Sequence, residues 1–358
     1  MVEWLAGNRI RGTNSERTTT IGISPITTVA GGWKELTRVT LGSTSTTMTT
    51  PTFTNKRYYK VLVHGIQSSG SVETGLGING INSGNPYASR LSVDGGTEQT
   101  GINLNYIADG WFSDPNEIIS EINIANLAGK EKLIIGHTGG ANTAGAGTAP
   151  KRMEWVGKFA PSPDVDVSSI LITGSGTFAV GSEIVVLGWD PADTHSTNFW
   201  EELASVTTTG AGTSISSGTF TAKKYIWFQM YAPSGQSAIV DNFWVRFNGD
   251  SGSNYARRYS NNGGTDGTAT SDSKIQISRN GKEGDFMSAF IINNSANEKL
   301  LISHSISVGD TLGAGAAPNR GEIVGKWTNT SSQITSIVVS ANADSIPAGW
   351  IIKVWGSD

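Results

Sequence analysis

No cysteine occurs among the 358 residues, which excludes disulfides and thiolate zinc sites without fixing the redox compartment. Charge is also scarce. Asp, Glu, Lys and Arg make up 16% of the chain and the net charge is -4, so no basic footprint for nucleic acid is expected. No apolar run approaches the ~20 residues that a bilayer span requires. The opening Met1-Val-Glu-Trp-Leu-Ala-Gly-Asn-Arg-Ile-Arg-Gly12 lacks the apolar core of a signal peptide, so synthesis in a cytoplasm is expected. Helical periodicity is nearly absent.

In place of these, the chain has 45 Gly, abundant Ser and Thr, and 11 Trp, 8 Tyr and 11 Phe. Gly supplies turns, while Thr and the aromatics suit a half-buried pleated surface. The expected class is all-β.

The organising feature is an internal repeat. Thr143-Ala-Gly-Ala-Gly-Thr-Ala-Pro-Lys-Arg-Met-Glu-Trp-Val-Gly-Lys-Phe159 returns 168 residues later as Thr311-Leu-Gly-Ala-Gly-Ala-Ala-Pro-Asn-Arg-Gly-Glu-Ile-Val-Gly-Lys-Trp327. Lys130-Glu-Lys-Leu-Ile-Ile-Gly-His137 pairs with Asn297-Glu-Lys-Leu-Leu-Ile-Ser-His304, and Trp33-Lys-Glu-Leu36 with Trp200-Glu-Glu-Leu203. The period is too long for a solenoid and suits two domains. The expected division is an extended N-terminal arm (1–32), a first domain (33–190), a linker (191–199) and a second domain (200–358).

Matched bulky runs predict strands over 56–66 and 223–231, 117–125 and 285–292, 167–173 and 334–340, and 183–189 and 350–355. Eight to ten short strands per copy, separated by Gly/Ser/Asn/Pro clusters, predict tandem β-sandwich (jelly-roll) domains. Alternation places Arg152, Glu154, Val156 and Lys158 on one face of a strand and Met153, Trp155, Gly157 and Phe159 on the other. Copy two repeats this with Arg320, Glu322, Val324 and Lys326. The apolar face is expected in the core. The charged residues Arg152, Glu154, Lys158, Arg320, Glu322 and Lys326 are expected to contact other subunits.

Chemical motifs are weak. Gly249-Asp-Ser-Gly252 is similar to a serine-protease nucleophile segment, but its copy-one counterpart Gly80-Ile-Asn-Ser-Gly84 makes a strand-connecting loop the better reading. His137 and His304 recur at matched positions without metal-ligand spacing, so locally bonded strand-end histidines are expected and no metal or cofactor. The Gly-Ala-Gly loops lack the Gly-Lys-Ser/Thr of a phosphate loop. Asp164-Val-Asp166 and Asn261-Asn-Gly-Gly-Thr-Asp-Gly267 offer oxygens to Ca²⁺ but lack the closing Glu, which favours turns. Paired acids for glycoside hydrolysis stay open, with no particular pair standing out. Core packing is expected for Trp33, Trp200, Phe159 and Trp327. Trp111, set among turn residues, is the candidate glycan contact.

The opening Glu3-Trp-Leu-Ala-Gly-Asn-Arg-Ile-Arg-Gly-Thr13 resembles N-terminal segments of structural proteins of environmental tailed phages. The doubled Trp-x-Glu-Leu, Glu-Lys-Leu, Gly-Ala-Gly-x-Ala-Pro-x-Arg and Val-Gly-Lys-aromatic motifs are similar to jelly-roll modules of the same virion proteins, over nearly the whole chain. The resemblance implies a non-enzymatic head decoration, cement or fibre protein, assembled in the host cytoplasm and located in the virion. Its partners would be a major capsid or tail/base protein and further copies of itself, with no nucleic acid or membrane. The arm would dock through Trp4, Arg9 and Arg11. Two alternatives are a carbohydrate-binding tandem module and a double-jelly-roll major capsid protein.

Overall fold

A computed structural model of the chain describes residues 29–30, 32–70, 73–110, 116–191, 193–195, 198–233, 240–281, 284–308, 314–315, 317–341 and 348–358. Trp4, Arg9, Arg11 and Trp111 lie outside these residues, as does nearly all of the 1–32 arm.

Among the described residues the secondary structure is strand alone. Strands between Lys34 and Trp189 pair only with one another, and so do those between Glu201 and Ser357. Each half builds an antiparallel row of eight strands and a row of four, in the same order. In the first half a short pairing, Thr177 with Ser69 and Phe178 with Gln67, joins the two rows. Among the described residues, twelve strands per half exceed the eight to ten that sequence predicts. Short strands such as Thr74–Ile78 and Gln99–Leu104 hold one Leu and one Ile each, set among Gly, Thr, Gln and Asn, too few to read as a bulky run. Val29–Ala30 pairs with Thr194–His195, tying the end of the arm to the linker.

The two rows of each half close on a core. In the first half Val61, Ile122, Trp155 and Phe159 from the eight-stranded row meet Met48, Leu76 and Ile172 from the four-stranded row. In the second half Phe228, Ile323 and Trp327 meet Phe243, Val245 and Ile337. The duplication extends to hydrogen bonds. Tyr87 Oη accepts from the Ile78 amide and donates to the Ile81 carbonyl, as Tyr255 Oη does with Phe247 and Asp250. Asn126 and Asn293 each donate to a lysine carbonyl (Lys56, Lys223) and accept from an amide across the sandwich (Val167, Ile334).

The eight-stranded rows also have apolar outer faces. Residues adjacent to core positions, such as Leu62 between Val61 and Val63, must point the other way. Leu62, Ile119, Val185 and Leu187 of the first half pack against Tyr225, Ile292, Leu300, Ile302 and Val324 of the second. The molecule is therefore four layers of sheet, with the two eight-stranded rows at the centre. Strands buried on both faces read as continuous apolar runs, which accounts for Glu117-Ile-Ile-Ser-Glu-Ile-Asn-Ile124.

One buried acid makes a testable contribution. Asp285 is buried and accepts a hydrogen bond from Ser278 Oγ at 2.6 Å; burial pushes its carboxyl up to about 6. The folded state thus holds a proton that the unfolded chain releases near pH 4. Stability from this group is fully present below about pH 4 and lost as pH rises through about 6. Roughly two pH units correspond to about 3 kcal/mol. Asp285→Asn is expected to remove this slope, read as the wild-type minus variant difference in urea midpoints from pH 4 to 7. Parallel profiles would show that Asp285 is ionised throughout.

Candidate functional site

The seam between the two central rows is where side-chain chemistry converges. His137 stands mid-strand in Lys132–Gly140, facing away from the first core, with Glu154 and Glu121 as its cross-strand neighbours. His304 stands in Lys299–Ser307 between Glu322 and Ser288. The rows stack so that the two imidazoles meet, ring centroids 4.2 Å apart and planes inclined by 59°. The expected locally bonded, strand-end histidines are thus corrected. Both sit mid-strand, and His137 Nδ1 is buried with no hydrogen-bond partner.

Burial pulls both imidazoles down, His137 to about 4, with each ring also facing nearby charges. Burial pushes the Glu154 carboxyl up to about 7, against the pull of Arg152 and helped by Glu322, with which it shares a hydrogen bond. Burial would raise Glu121 as well, but the ammonium of Lys60, ion-paired to it, holds it below the ordinary range.

A cleft of about 380 Å³ opens beside the histidines. Trp33, Trp200, Trp227 and Phe290 supply its rings; Lys60, Glu121, Asn123 and Ser288 supply its polar groups. Trp33/Trp200, Lys60/Trp227, Glu121/Ser288, Asn123/Phe290 and His137/His304 are counterparts at one constant offset of 167. The two copies therefore contribute the same positions to one space. Trp33 and Trp200 lie here, half-buried against the seam, rather than in the domain cores expected for them. Trp227 Nε1 donates to Ser288 Oγ at 2.9 Å, and its ring stacks on Trp355 at 4.6 Å.

Two polar nodes flank the seam. At one, Arg152 donates to Asp266 through Nη2 (2.6 Å) and Nε (3.2 Å), to Glu322 through Nη1 (3.1 Å), and to Glu154. At the other, Glu183 of the first half accepts from Tyr225 Oη at 2.5 Å and Lys224 Nζ at 3.0 Å of the second. Between them, buried Lys326 donates to the carbonyls of Ala141 (2.9 Å) and Thr143 (2.7 Å), and the Gly145 amide donates to Glu298. The Gly-Ala-Gly loop of copy one is thus a backbone cradle for copy two.

These contacts relocate the charged residues that sequence assigned to other subunits. Arg152, Glu154, Glu322 and Lys326 face the partner domain of the same chain. Lys158, paired with Glu131, and Arg320, paired with Glu322, remain toward solvent. Asp266, from the loop considered for Ca²⁺, is taken by Arg152, and Asp164 by Lys132. Asp250, in the protease-like segment, accepts from Trp327 and Asn254.

The seam is one-sided. A Cβ on Gly139 would lie 2.8 Å from Val324 and 3.5 Å from Ile302, so the absence of a side chain permits this close approach. The counterparts of these three residues are Ile306, Val156 and Ile135. An exact two-fold relation would bury Ile306 against Val156 and Ile135. Instead Ile306 is 49% exposed, Ile135 52% and Val156 47%. An isoleucine fills the place that glycine leaves empty, so the second half of a symmetric interface cannot close in the same way.

No protein-family model matches the chain, and no curated protein matches it. Among solved structures it is similar to domains LG4-5 of the mouse laminin alpha1 chain, at 9% identity over 91% of each chain. The TM-score is 0.19, and the likeness carries no argument.

Proposed function

We propose that the chain is a non-enzymatic structural subunit that assembles with copies of itself, of the virion decoration, cement or fibre kind that its sequence resembles. The supporting observation is where its exposed apolar residues fall. Leu133, Ile135 and Val156 on the first domain are counterparts of Leu300, Ile302 and Val324, which the seam buries. Tyr231, Phe286 and Ile306 on the second domain are counterparts of His64, Ile119 and Gly139, which are also buried. Each domain thus keeps open the end of its sheet that the other uses. Leu133, Ile135 and Val156 line a shallow apolar groove of about 470 Å³ with Ile102, Arg90 and Lys158 at its edge. A second copy offers Tyr231, Phe286 and Ile306 as an apolar counter-surface. Because Ile306 stands where Gly139 does, the contact between chains packs differently from the internal one, and its head-to-tail propagation gives rings or fibres.

Sedimentation velocity across a concentration series tests this. The chain is expected to form oligomers that Leu133→Asp/Ile135→Asp dissociates, with the circular dichroism of the folded chain unchanged. A chain that stays monomeric at every concentration overturns the reading. Closed shells formed alone would point to a major capsid protein instead.

A second reading is a carbohydrate site in the 380 Å³ cleft, favoured by its three indoles beside Lys60, Glu121 and Asn123. Flat apolar rings with a few polar groups suit sugar faces.

A further inference from the structure

We propose that His137, His304 and Glu154 bind a divalent transition-metal ion of the zinc class, which pins the two domains together. One ligand atom from each residue can be chosen so that all three lie within 4.8 Å of one another. Two imidazoles and a carboxylate are a ligand set that zinc accepts, with a fourth tetrahedral position left for water. Metal–ligand bonds of roughly 2.0–2.2 Å put tetrahedral ligands about 3.4 Å apart, so binding requires side-chain shifts of about an ångström.

Three features distinguish this cluster from incidental packing. The His137 Nδ1 has no hydrogen-bond partner although it is buried, and an unsatisfied ring nitrogen at a buried site calls for a ligand. The two imidazoles meet as tilted rings with centroids 4.2 Å apart, a contact of two polar rings that an ion bridging their nitrogens would turn into a bonded one. Both line the cleft, which gives an ion a route in and a place for its water. Outer support is present as well, since Arg152 donates to both Glu154 and Glu322 and fixes the carboxylate.

The ligands come from both domains, so the ion would act on their relative position and not on either fold. The sequence carries no hint because the two histidines are separated by 167 residues and meet only when the two sheets stack. No short-range histidine spacing exists to find.

The test uses the full chain, treated with EDTA and dialysed, then titrated with Co²⁺ and Zn²⁺. The expected result is one ion per chain, with Co²⁺ giving the intense visible bands of a four-coordinate site and Zn²⁺ raising the melting temperature. His137→Phe and His304→Phe keep a ring in each place, so both should fold by circular dichroism, and each should weaken binding at least about tenfold. Glu154→Gln should weaken it while leaving the histidines in contact. Absence of stoichiometric uptake overturns the proposal. So does uptake that the His137→Phe/His304→Phe double variant retains, since the ion would then sit elsewhere. Binding is scored on the monomer or the oligomer alike, so failure of the assembly reading leaves this result interpretable.

Discussion

Arg152→Ala is expected to lower the stability of the chain by about 3–5 kcal/mol, the usual cost of removing one partner from a buried ion network. The Arg152 guanidinium is almost wholly buried and holds Asp266, whose side chain is 2% exposed, as well as Glu322 and Glu154. Alanine would leave three carboxyls from two domains facing one another, with Arg320 on Glu322 and the more distant Arg258 beside Asp266 left to offset them. Lysine recovers only part, because it lacks the planar fork that engages both Asp266 oxygens. The deficit should shrink as pH falls, since Glu154, pushed up to about 7 by burial, takes up a proton and no longer repels its neighbours. Urea unfolding at pH 5 and pH 8 measures both effects. The control lies in the repeat: Arg320 occupies the same position in copy two, is 60% exposed and, among the described residues, pairs with Glu322. Arg320→Ala should cost under about 1 kcal/mol. Equal costs at the two positions would mean that the domains separate in solution and Arg152 is solvated.

That contrast marks where sequence reading stops. Alternation in Arg152–Phe159 correctly sends Met153, Trp155 and Phe159 into the core, because a strand has a period of two and one face here is almost all apolar. The doubled motifs likewise predict two sandwiches, since each copy repeats the turns and bulky runs that close one. Which outer face meets which is another matter. Ile135 and Ile302 are the same residue in the same motif, yet one is half-exposed and the other buried. The difference traces to Gly139 and Ile306, a pair whose meaning depends on a stacking that no local pattern encodes. His137 and His304 were hidden for the same reason. The usable signal was the apolar character of both faces of Lys132–Gly140, which is excessive for a strand with one wet side.

The two copies also supply their own comparison inside the cores. Trp327→Ala is expected to destabilise the second domain by about 3–5 kcal/mol, the range for deleting a buried aromatic ring. Trp327 is 1% exposed and packs on Phe247 and Tyr255, with ring centroids at 5.8 and 6.4 Å. Its Nε1 donates to Asp250 at 2.7 Å. In copy one the position is Phe159, stacked on Tyr87 at 5.0 Å, and the residue aligned with Asp250 is Ile81, which has no side-chain acceptor. Indole and carboxylate occur together in one copy and are both missing from the other. Trp327→Phe should therefore cost much less than Trp327→Ala, because Asp250 keeps the Asn254 side chain and the Gly252 amide as donors. Phe159→Trp should be the harmful exchange, overfilling a packed core by about 1–3 kcal/mol and burying an N–H that finds no carboxylate. Urea midpoints of the three variants decide it. Should Phe159→Trp prove as mild as Trp327→Phe, the two cores are looser than their shared hydrogen bonds require, and the pairing of Trp327 with Asp250 is incidental.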